Sequence, residues 1–268
     1  TVTVNDADGG SNSANIVIDI VDDKPVARDD SASVTEDTHT SVTDNVITND
    51  SSGADSPASF VAWTSPLNGT WGTLTDNGLG GYTYTLHDDA SVQALNKGEH
   101  QTDTFTYTMQ DADGDIKTAT LTVTVNGSND DPTIVVHTGN PENSNDTVYE
   151  AGLTGGTQAG EAETHAGGTF TLGDADGLSN IAGITIGTTT IAIADLGNNN
   201  VINGSNGTLT ITHYDSNTGE VTYTYDLTSP VGNAVGSDAG SDNFTVTVND
   251  ADGGRSEERR VGKECLRL

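Results

Sequence analysis

The stretch TVTVNDADGG occurs twice without change, at residues 1–10 and again at residues 245–254. Each copy begins with alternating threonine and valine, the period-two pattern of a half-buried β-strand, and continues into a D-x-D-G turn. Identical segments so far apart indicate internal repeats, which decide the architecture of a chain. We therefore expect this sequence to be cut from a longer array of repeats.

The same alternation recurs along the rest of the chain. In residues 118–125, TATLTVTV, the apolar side chains share one face and the threonines share the other, as in an antiparallel strand with one solvated face. One segment, DDASVQALNK at residues 88–97, instead favours a turn or two of helix. Many short strands separated by Gly, Asn and Asp predict an all-β chain of β-sandwiches. Further strands are predicted at residues 81–86, 103–110, 208–212, 220–227 and 242–248.

Acidic side chains dominate the charge. The chain has 40 Asp and Glu residues against 9 Lys and Arg residues, and its net charge is −31 at pH 7. Aspartates beside Gly and Asn favour turns and oxygen-ligand cation sites. This charge opposes binding to nucleic acid and to anionic membranes, and it opposes compaction unless counter-ions neutralise it. No stretch has the apolar length of a membrane span, so we expect no membrane insertion.

Two similar acidic linkers suggest the domain boundaries. VDDKP at residues 21–25 and NDDP at residues 129–132 each follow a Thr/Val-rich strand, and proline holds the residue before it in an extended conformation. The strand that would close the last module should resemble residues 12–21. The predicted divisions are the closing hairpin of a preceding repeat (1–23), a complete β-sandwich (24–131), a β-sandwich without its last strand (132–254) and an unrelated tail (255–268).

Four D-A-D-G segments are the first candidate metal ligands. Alternate aspartates in a tight turn can direct two carboxylates at one point, and Ca²⁺ takes six to eight such oxygens. A single D-x-D-G segment is also a common hairpin turn without metal, but four of them in so acidic a chain favour cation binding. Flexible turns rich in carboxylates favour Ca²⁺, although the motif alone does not separate it from Mg²⁺. The candidate ligands here are Asp6, Asp8, Asp111, Asp113, Asp115, Asp174, Asp176, Asp250 and Asp252.

The acids of the linkers are the second candidates. They are Asp22 and Asp23 in the first linker and Asp130 and Asp131 in the second. A cation bound there would hold neighbouring modules at a set angle and stiffen the chain; a solvated acidic linker without metal is the alternative. Glu150, in VYEAG near the start of the second module, completes the predicted ligand set. Glu36, in SVTED, has the corresponding place in the first module.

The sequence carries no recognisable catalytic set. Its six histidines are isolated and lack zinc-site spacing, and there is no G-x-S-x-G nucleophile turn. Trp63 and Trp71 could stack on a sugar ring, but packed core aromatics are the favoured interpretation. Without cysteine before residue 255, disulfides cannot stabilise the modules, and a bound metal is the expected substitute. We therefore predict that the chain is not an enzyme.

Two known families match these motifs. Residues 81–132 resemble the VCBS-type repeat through GYTYTL, ALNKGE, DTFTYT, the D-x-D-G turn and the exit NGSNDDP. Residues 148–254 resemble the type I secretion target repeat through VYEAGL, GTFTLGDADGL, TGEVTYTYDL and DNFTVTVNDADGG. Such repeats occur in giant bacterial adhesins of the RTX type. The resemblance implies tandem Ig-like or cadherin-like β-sandwiches stiffened by calcium and exported by type I secretion.

The last fourteen residues, RSEERRVGKECLRL, break the pattern. They hold five of the nine basic residues and the only cysteine, Cys265. The string resembles a translated short-read sequencing adapter, and a genuine basic tail is the alternative. We expect it to be foreign to the fold, as expression scars are.

Together these features predict a calcium-stabilised structural repeat of a bacterial adhesin stalk that supports adhesion and biofilm formation. The predicted location is extracellular or on the cell surface. Its partners would be neighbouring repeats of the same chain, with surface glycans or proteins bound through regions outside this sequence. A glycan-binding β-sandwich and an accessory repeat of a large secreted enzyme remain alternatives.

Overall fold

A computed structural model describes residues 1–137, 147–232, 239–260 and 264–266. In these residues the chain is built from β-strands and turns, with short 3-10 segments. The prediction of an all-β fold is confirmed. The predicted helical turn at residues 88–97 is a series of turns in which the Asp89 carboxylate accepts backbone hydrogen bonds from Ser91 and Val92.

The described residues fold as two units. The first unit holds residues 1–33, 41–85 and 102–124, and the second holds residues 34–40, 86–101 and 125 onward. This division does not coincide with the predicted modules, because three segments of the first predicted module, residues 34–40, 86–101 and 125–131, group with the second unit. The module boundaries therefore stay a prediction.

Nine strands precede the second linker. Beyond the β1–β2 hairpin they form two sheets, in the orders β3-β9-β8-β5 and β4-β7-β6, in which β4 pairs with β7 and β5 with β8 in antiparallel register. Alternate residues of β8, among them Phe105, Tyr107 and Met109, are fully buried, as the period-two pattern predicts. Rings of the two sheets touch, with 5.9 Å between the centroids of Tyr84 and Phe105. The strands are β1 (Val2–Asn5), β2 (Ser11–Ala14), β3 (Asp30–Thr35), β4 (Ser41–Asn45), β5 (Ser59–Trp63), β6 (Gly72–Gly78), β7 (Gly81–Leu86), β8 (His100–Gln110) and β9 (Ile116–Asn126).

The later strands form a second sandwich. A five-stranded sheet, β10-β12-β17-β16-β15, and a four-stranded sheet, β14-β13-β19-β20, enclose one apolar cluster that includes Phe170, Ile184, Ile211 and Val248. A third sheet has the order β11-β21-β18. The strands are β10 (Thr133–Val136), β11 (Val148–Tyr149), β12 (His165–Gly173), β13 (Ile181–Ile186), β14 (Thr189–Ala192), β15 (Asn200–Asn203), β16 (Gly207–Tyr214), β17 (Glu220–Leu227), β18 (Ala239–Ser241), β19 (Phe244–Asp250), β20 (Arg255–Arg260) and β21 (Glu264–Leu266).

The tail differs from its prediction. The sequence leads us to expect no strand after β19, yet β20 pairs with β19 in antiparallel register from Asn249↔Arg255 to Phe244↔Arg260. The physical reason is that a sheet edge is completed by backbone hydrogen bonds, which are largely independent of side-chain identity. In the structure the tail thus occupies the edge beside β19 where the sequence predicts no closing strand. The extent of the second module and the foreign origin of the tail stay predictions.

The two copies of TVTVNDADGG lie in different environments. Val246 and Val248 in β19 are buried, whereas the equivalent Val2 and Val4 in β1 are exposed. Both copies nevertheless form a hairpin, in which β1 pairs with β2 and β19 with β20. The decapeptide thus dictates its local hairpin, and burial depends on what packs against it.

A buried aspartate organises a loop in each sandwich. Asp103 accepts hydrogen bonds from the backbone N–H groups of Thr70 (2.8 Å), Trp71 (3.0 Å) and Gly72 (3.1 Å), and from the hydroxyl of Tyr84 (2.7 Å). We call this the aspartate clamp. Residue 69 must be glycine, because a Cβ there would lie 2.1 Å from Asp103 Oδ2.

The second sandwich repeats the clamp. Asp242 accepts hydrogen bonds from the N–H groups of Asn206 and Gly207 and from the hydroxyl of Tyr225 (2.8 Å). The clamped loops read NGTWG (68–72) and NGSNG (203–207). Both sandwiches therefore use one loop-closing device, which the sequence analysis did not detect.

Candidate metal centres

The first acidic cluster lies in the first unit, at the tip of the β8–β9 hairpin. Carboxylate oxygens of Asp22, Asp55 and Asp113 lie within 4.8 Å of one another, as do those of Asp111, Asp113 and Asp115. The turn fixes Asp111, whose Oδ1 accepts hydrogen bonds from the N–H groups of residues 114 (3.1 Å) and 115 (2.7 Å). Folding thus brings one linker acid and the D-A-D-G carboxylates to one point.

The carboxylates of the first cluster repel one another, and this repulsion shifts their pKa values. The adjacent Asp111 carboxylate raises the pKa of Asp113 to about 6. The hydrogen bond between Asp22 and Asp115 raises the pKa of Asp22. Lys24 acts oppositely: its ammonium lies 2.7 Å from Asp115 Oδ2 and lowers the pKa of that carboxyl. Excess negative charge at one point favours a bound cation.

The second acidic cluster lies entirely in the second unit and is built from three segments. Asp174 and Asp176 follow β12, in a segment that crosses from one sheet to the other, so this D-A-D-G is not a hairpin tip. Asp250 begins the β19–β20 turn, where its Oδ1 accepts hydrogen bonds from three successive backbone N–H groups, at 2.6–2.8 Å. These hydrogen bonds fix the position of the Asp250 carboxylate in its turn.

The second linker joins these turns. The Asp130 N–H donates to Asp176 Oδ2 (3.0 Å), and Asn129 Nδ2 donates to Asp250 Oδ2 (3.0 Å). Glu36, with none of its surface exposed, accepts a hydrogen bond from the N–H of Ser128 (2.7 Å). The linker is therefore hydrogen-bonded to each of the acidic segments around it.

Unpaired oxygens mark this second cluster. Among the residues that the structure describes, seven buried side-chain N or O atoms have no hydrogen-bond partner. Six of them are oxygens of the two acidic clusters, and the seventh is Trp63 Nε1. Buried acceptors without donors are costly, and here they are grouped. They are Glu36 Oε2, Asn129 Oδ1, Asp130 Oδ2, Asp174 Oδ2 and Asp176 Oδ1 in the second cluster, and Asp111 Oδ2 in the first.

Burial shifts the ionisation of the second cluster. It raises the pKa of Glu36 to about 7, against the lowering effect of the Ser128 N–H, and that of Asp174 to about 6. Burial also raises the pKa values of Asp130 and Asp176. At Asp250 burial again acts upward, but the hydrogen bonds from Asn129 and the turn leave its pKa lowered. No Lys, Arg or His among the described residues forms an ion pair with these acids.

Several predicted ligands lie outside the two groupings. Asp6 and Asp8 occupy the exposed β1–β2 turn, where Asp6 Oδ1 accepts hydrogen bonds from the N–H groups of residues 8 and 10. Asp23 accepts a hydrogen bond from the N–H of Ala54 (2.8 Å). Glu150 is buried, and its carboxylate accepts a hydrogen bond from the Val231 N–H. Their place in a metal site stays a prediction.

The remaining predicted acids border the second cluster. Asp131 is exposed, and its Oδ1 lies 2.7 Å from the position that a Cβ on Gly254 would occupy. Asp252 is exposed too, and its charge helps to raise the pKa of Asp176. Both therefore lie at the rim of the cluster.

Sequence reasoning missed several members of the clusters. Asp55 was not considered, although it joins Asp22 and Asp113. Glu99, whose charge acts on Asp176, and Asn180, whose amide donates to Asp176 Oδ2 (3.4 Å), were missed as well. Glu36 was left outside the predicted set. The available signal was weak, since each is a single polar residue in a loop rather than part of a D-x-D repeat.

The donor set fits a hard divalent cation. Carboxylate and amide oxygens in irregular loops are what Ca²⁺ prefers, and the two clusters offer no sulfur or imidazole ligand among the described residues. The partnerless oxygens could ligate such an ion without breaking any hydrogen bond described above. In the second cluster the candidate ligands are Glu36, Asn129, Asp130, Asp174 and Asp176, which are linked by hydrogen bonds and by their charges. Among the described residues, the groups of three acids whose oxygens lie within 4.8 Å of one another belong to the first cluster.

The tryptophans do not form an exposed stacking platform. The Trp63 ring packs 5.7 Å from Phe60, 6.1 Å from Tyr82 and 5.8 Å from Tyr107, measured between centroids. Trp71 lies in the loop held by the aspartate clamp and is half-buried. The packing of Trp63 agrees with the core interpretation made from the sequence.

Comparison with known proteins supports the architecture. Residues 22–127 match the family model of the bacterial cadherin-like domain. No curated protein sequence matches the chain. In the described part of the chain, no helix has the length and apolarity needed to cross a membrane. The chain has an all-β, cadherin-like fold.

Solved structures with similar folds include cadherin ectodomains. One is that of PcdhgB3 EC1-4, with 14% identity and a TM-score of 0.47 over 94% of this chain and 51% of that one. Another comprises protocadherin gamma B2 extracellular cadherin domains 1–5, with 12% identity and a TM-score of 0.48 over 94% of this chain and 40% of that one. A Bacteroides ovatus SGBP-B in complex with a mixed-linkage heptasaccharide has 11% identity and a TM-score of 0.24 over 92% of this chain and 48% of that one. This chain thus spans about half, or less, of the length of each.

Proposed function

We propose that this chain is a calcium-stabilised structural segment of an extracellular adhesin, in which bound Ca²⁺ fixes the fold and stiffens the chain. The observation that carries the proposal is the second acidic cluster, with five partnerless buried oxygens around one linker. The bacterial cadherin-like match over residues 22–127 is consistent with an adhesion-type module.

The proposed mechanism follows from charge. Without a cation, burial forces Glu36 and Asp174 toward protonation near neutral pH, and ionising them costs folding free energy. A divalent ion bound among these oxygens removes the repulsion and satisfies the unpaired acceptors. Because the ion binds the folded state and not the unfolded chain, it stabilises the fold by mass action.

Several finer parts of the proposal rest on sequence resemblance. We propose that the segment belongs to the VCBS-type and type I secretion target repeats of RTX adhesins. Scarce calcium in the cytosol would keep the repeats unfolded and able to pass a type I secretion channel. Extracellular calcium, at the ~10⁻⁴–10⁻³ M to which extracellular modules respond, would fold them. Neighbouring repeats of the same chain would be the main partners, in a stalk that supports attachment and biofilm.

Thermal unfolding of the full chain tests this proposal. We expect millimolar Ca²⁺ to raise the unfolding midpoint well above that in chelator. Mg²⁺, or NaCl at equal ionic strength, should raise it much less. An equal midpoint in Ca²⁺ and in chelator would refute calcium stabilisation. An equal rise of the midpoint in NaCl would show that the stabilisation comes from charge screening and not from bound Ca²⁺.

A matched pair of variants locates the effect. Asp176→Asn removes one buried ligand and one negative charge, whereas Asp195→Asn removes an exposed charge from the same unit. In chelator, D176N should be at least as stable as the wild type, because repulsion falls. In Ca²⁺ it should be less stable, while D195N follows the wild type in both. Loss of stability by D176N in chelator and Ca²⁺ alike would assign Asp176 a purely structural role.

A further inference from the structure

The two D-A-D-G turns that close hairpins β8–β9 and β19–β20 have the same backbone geometry. The Asp111 N–H donates to the carbonyl of Asp115, and the Asp250 N–H donates to the carbonyl of Gly254, both at 3.2 Å. In each turn the first aspartate accepts hydrogen bonds from the fourth and fifth residues of the segment. Asp115 and Gly254 therefore occupy equivalent positions.

The residue next to this position differs in charge between the two clusters. Beside Gly254 lies Asp131, whose Oδ1 would be 2.7 Å from an added Cβ. Beside Asp115 lies Lys24, with its ammonium 2.7 Å from Asp115 Oδ2. Each of these neighbours directly precedes a linker proline in the sequence. One cluster thus has a carboxylate and a glycine where the other has an ammonium and a carboxylate.

We propose that the first acidic cluster is a divalent-cation site in which the Lys24 ammonium takes the place of one bound cation. The inference rests on the proposed function, since it concerns how calcium acts on one cluster. The grouping of acids is supported by a second observation, a buried carboxylate oxygen that has no partner. Asp111 is about 95% buried, and its Oδ2 has no hydrogen-bond partner although it lies beside Asp113.

Lys24 changes how this first cluster depends on calcium. Its positive charge neutralises Asp115 before any ion binds, so the cation-free first unit is stabilised. The same charge repels an incoming Ca²⁺ and occupies one of its ligands. Asp22, Asp55, Asp111 and Asp113 remain for the ion. The second cluster, in which no described residue supplies a comparable ammonium, depends more strongly on calcium.

Tryptophan fluorescence can separate the two units. The chain has two tryptophans, Trp63 and Trp71, and both belong to the first unit. Urea unfolding of the full chain, followed by tryptophan fluorescence at a series of Ca²⁺ concentrations, gives the apparent calcium affinity of the first unit from its gain in stability. Far-UV circular dichroism in the same samples reports both units.

The test compares Lys24→Met with Lys117→Met. Lys117 is also exposed, and its charge acts on Asp115 through space, whereas only Lys24 donates a hydrogen bond to it. K24M should destabilise the first unit in chelator and tighten its apparent calcium affinity about fivefold, as expected for one exposed ion pair. K24D places at residue 24 the aspartate that the second cluster has at the equivalent position, Asp131, and it should tighten the calcium affinity further. K117M should change neither quantity by more than about twofold.

Four outcomes would overturn the inference. Equal effects of K24M and K117M would show that general charge, and not the ammonium position, matters. An unchanged affinity in K24M and K24D would remove Lys24 from the site. A first unit that gains no stability from Ca²⁺, while circular dichroism shows that the second does, would refute the first site and leave the proposed function intact. Lack of any calcium response in either signal would refute both.

Discussion

Replacing Asp103 by asparagine should destabilise the first unit strongly. The carboxylate is 5% exposed and accepts four hydrogen bonds, one at Oδ1 and three at Oδ2. Asparagine keeps the shape but offers one acceptor oxygen. Whichever way the amide is turned, its NH₂ group faces at least one backbone N–H, and the remaining bonds lose the assistance of charge.

The magnitude follows from these hydrogen bonds. A buried donor without a partner costs about 1–3 kcal/mol, and a hydrogen bond to a charged acceptor is worth roughly 1 kcal/mol more than a neutral one. One orphaned N–H and three weakened bonds give a loss of about 4–6 kcal/mol. Since domains of this kind have total stabilities of about 5–15 kcal/mol, D103N should leave the first unit marginally stable.

Urea unfolding followed by tryptophan fluorescence measures this loss, because Trp71 lies in the clamped loop and Trp63 in the same unit. Asp76→Asn is the control: its carboxylate is exposed and accepts one turn hydrogen bond, from the N–H of Gly78 at 2.8 Å. It should shift stability by less than about 1 kcal/mol. A loss below about 1 kcal/mol in D103N, or equal losses in both variants, would refute the assignment of the clamp.

Three further predictions concern the second unit. Tyr225→Phe removes one donor from the Asp242 clamp and should cost about 1–2 kcal/mol of unfolding free energy, measured by circular dichroism in urea. In chelator, stability should fall as pH rises from 5 to 7, because the folded pKa of Glu36, about 7, exceeds its ordinary 4.5 and the folded state therefore binds more protons in this range. The loss between these two pH values should be about 2 kcal/mol, read from urea unfolding at each pH. Saturating Ca²⁺ should abolish or reverse this trend. Gly254→Ala would place a Cβ 2.1 Å from Asp250 Oδ2, so we expect weaker calcium binding by titration calorimetry and an unchanged result for Gly232→Ala, where nothing lies within 4 Å.

Much of the fold could be predicted because the strands are locally encoded. Residues 81–86 and 220–227 coincide with β7 and β17, and the inward residues of β9 are the alternate ones that the pattern indicates. Local chemistry also specifies the D-A-D-G turns at residues 111 and 250, whose hydrogen bonds close within five residues. At residue 174 the same tetrapeptide connects β12 in one sheet to β13 in the other. The tetrapeptide therefore does not determine its partner strand.

The metal clusters were less predictable because their members are far apart in the chain. The Glu36 carboxylate meets the N–H of Ser128 across 92 residues, and Asn129 meets Asp250 across 121. A single glutamate in SVTED has no local feature that distinguishes it from a solvated one. The aspartate clamp was missed for the same reason, since its loop and its carboxylate are about 30 residues apart.

The sequence by itself determined the all-β class, the repeated hairpins and the concentration of acid in turns and linkers, because period-two alternation and Gly-Asp turns act over a few residues. Only the tertiary structure decided which acids meet. It joined Asp55 to the first cluster and Glu36 to the second, and it placed Lys24 rather than a carboxylate beside Asp115. The reason is physical: ligand geometry depends on how sheets pack and where strands end, and these are set by the whole core and not by any one segment.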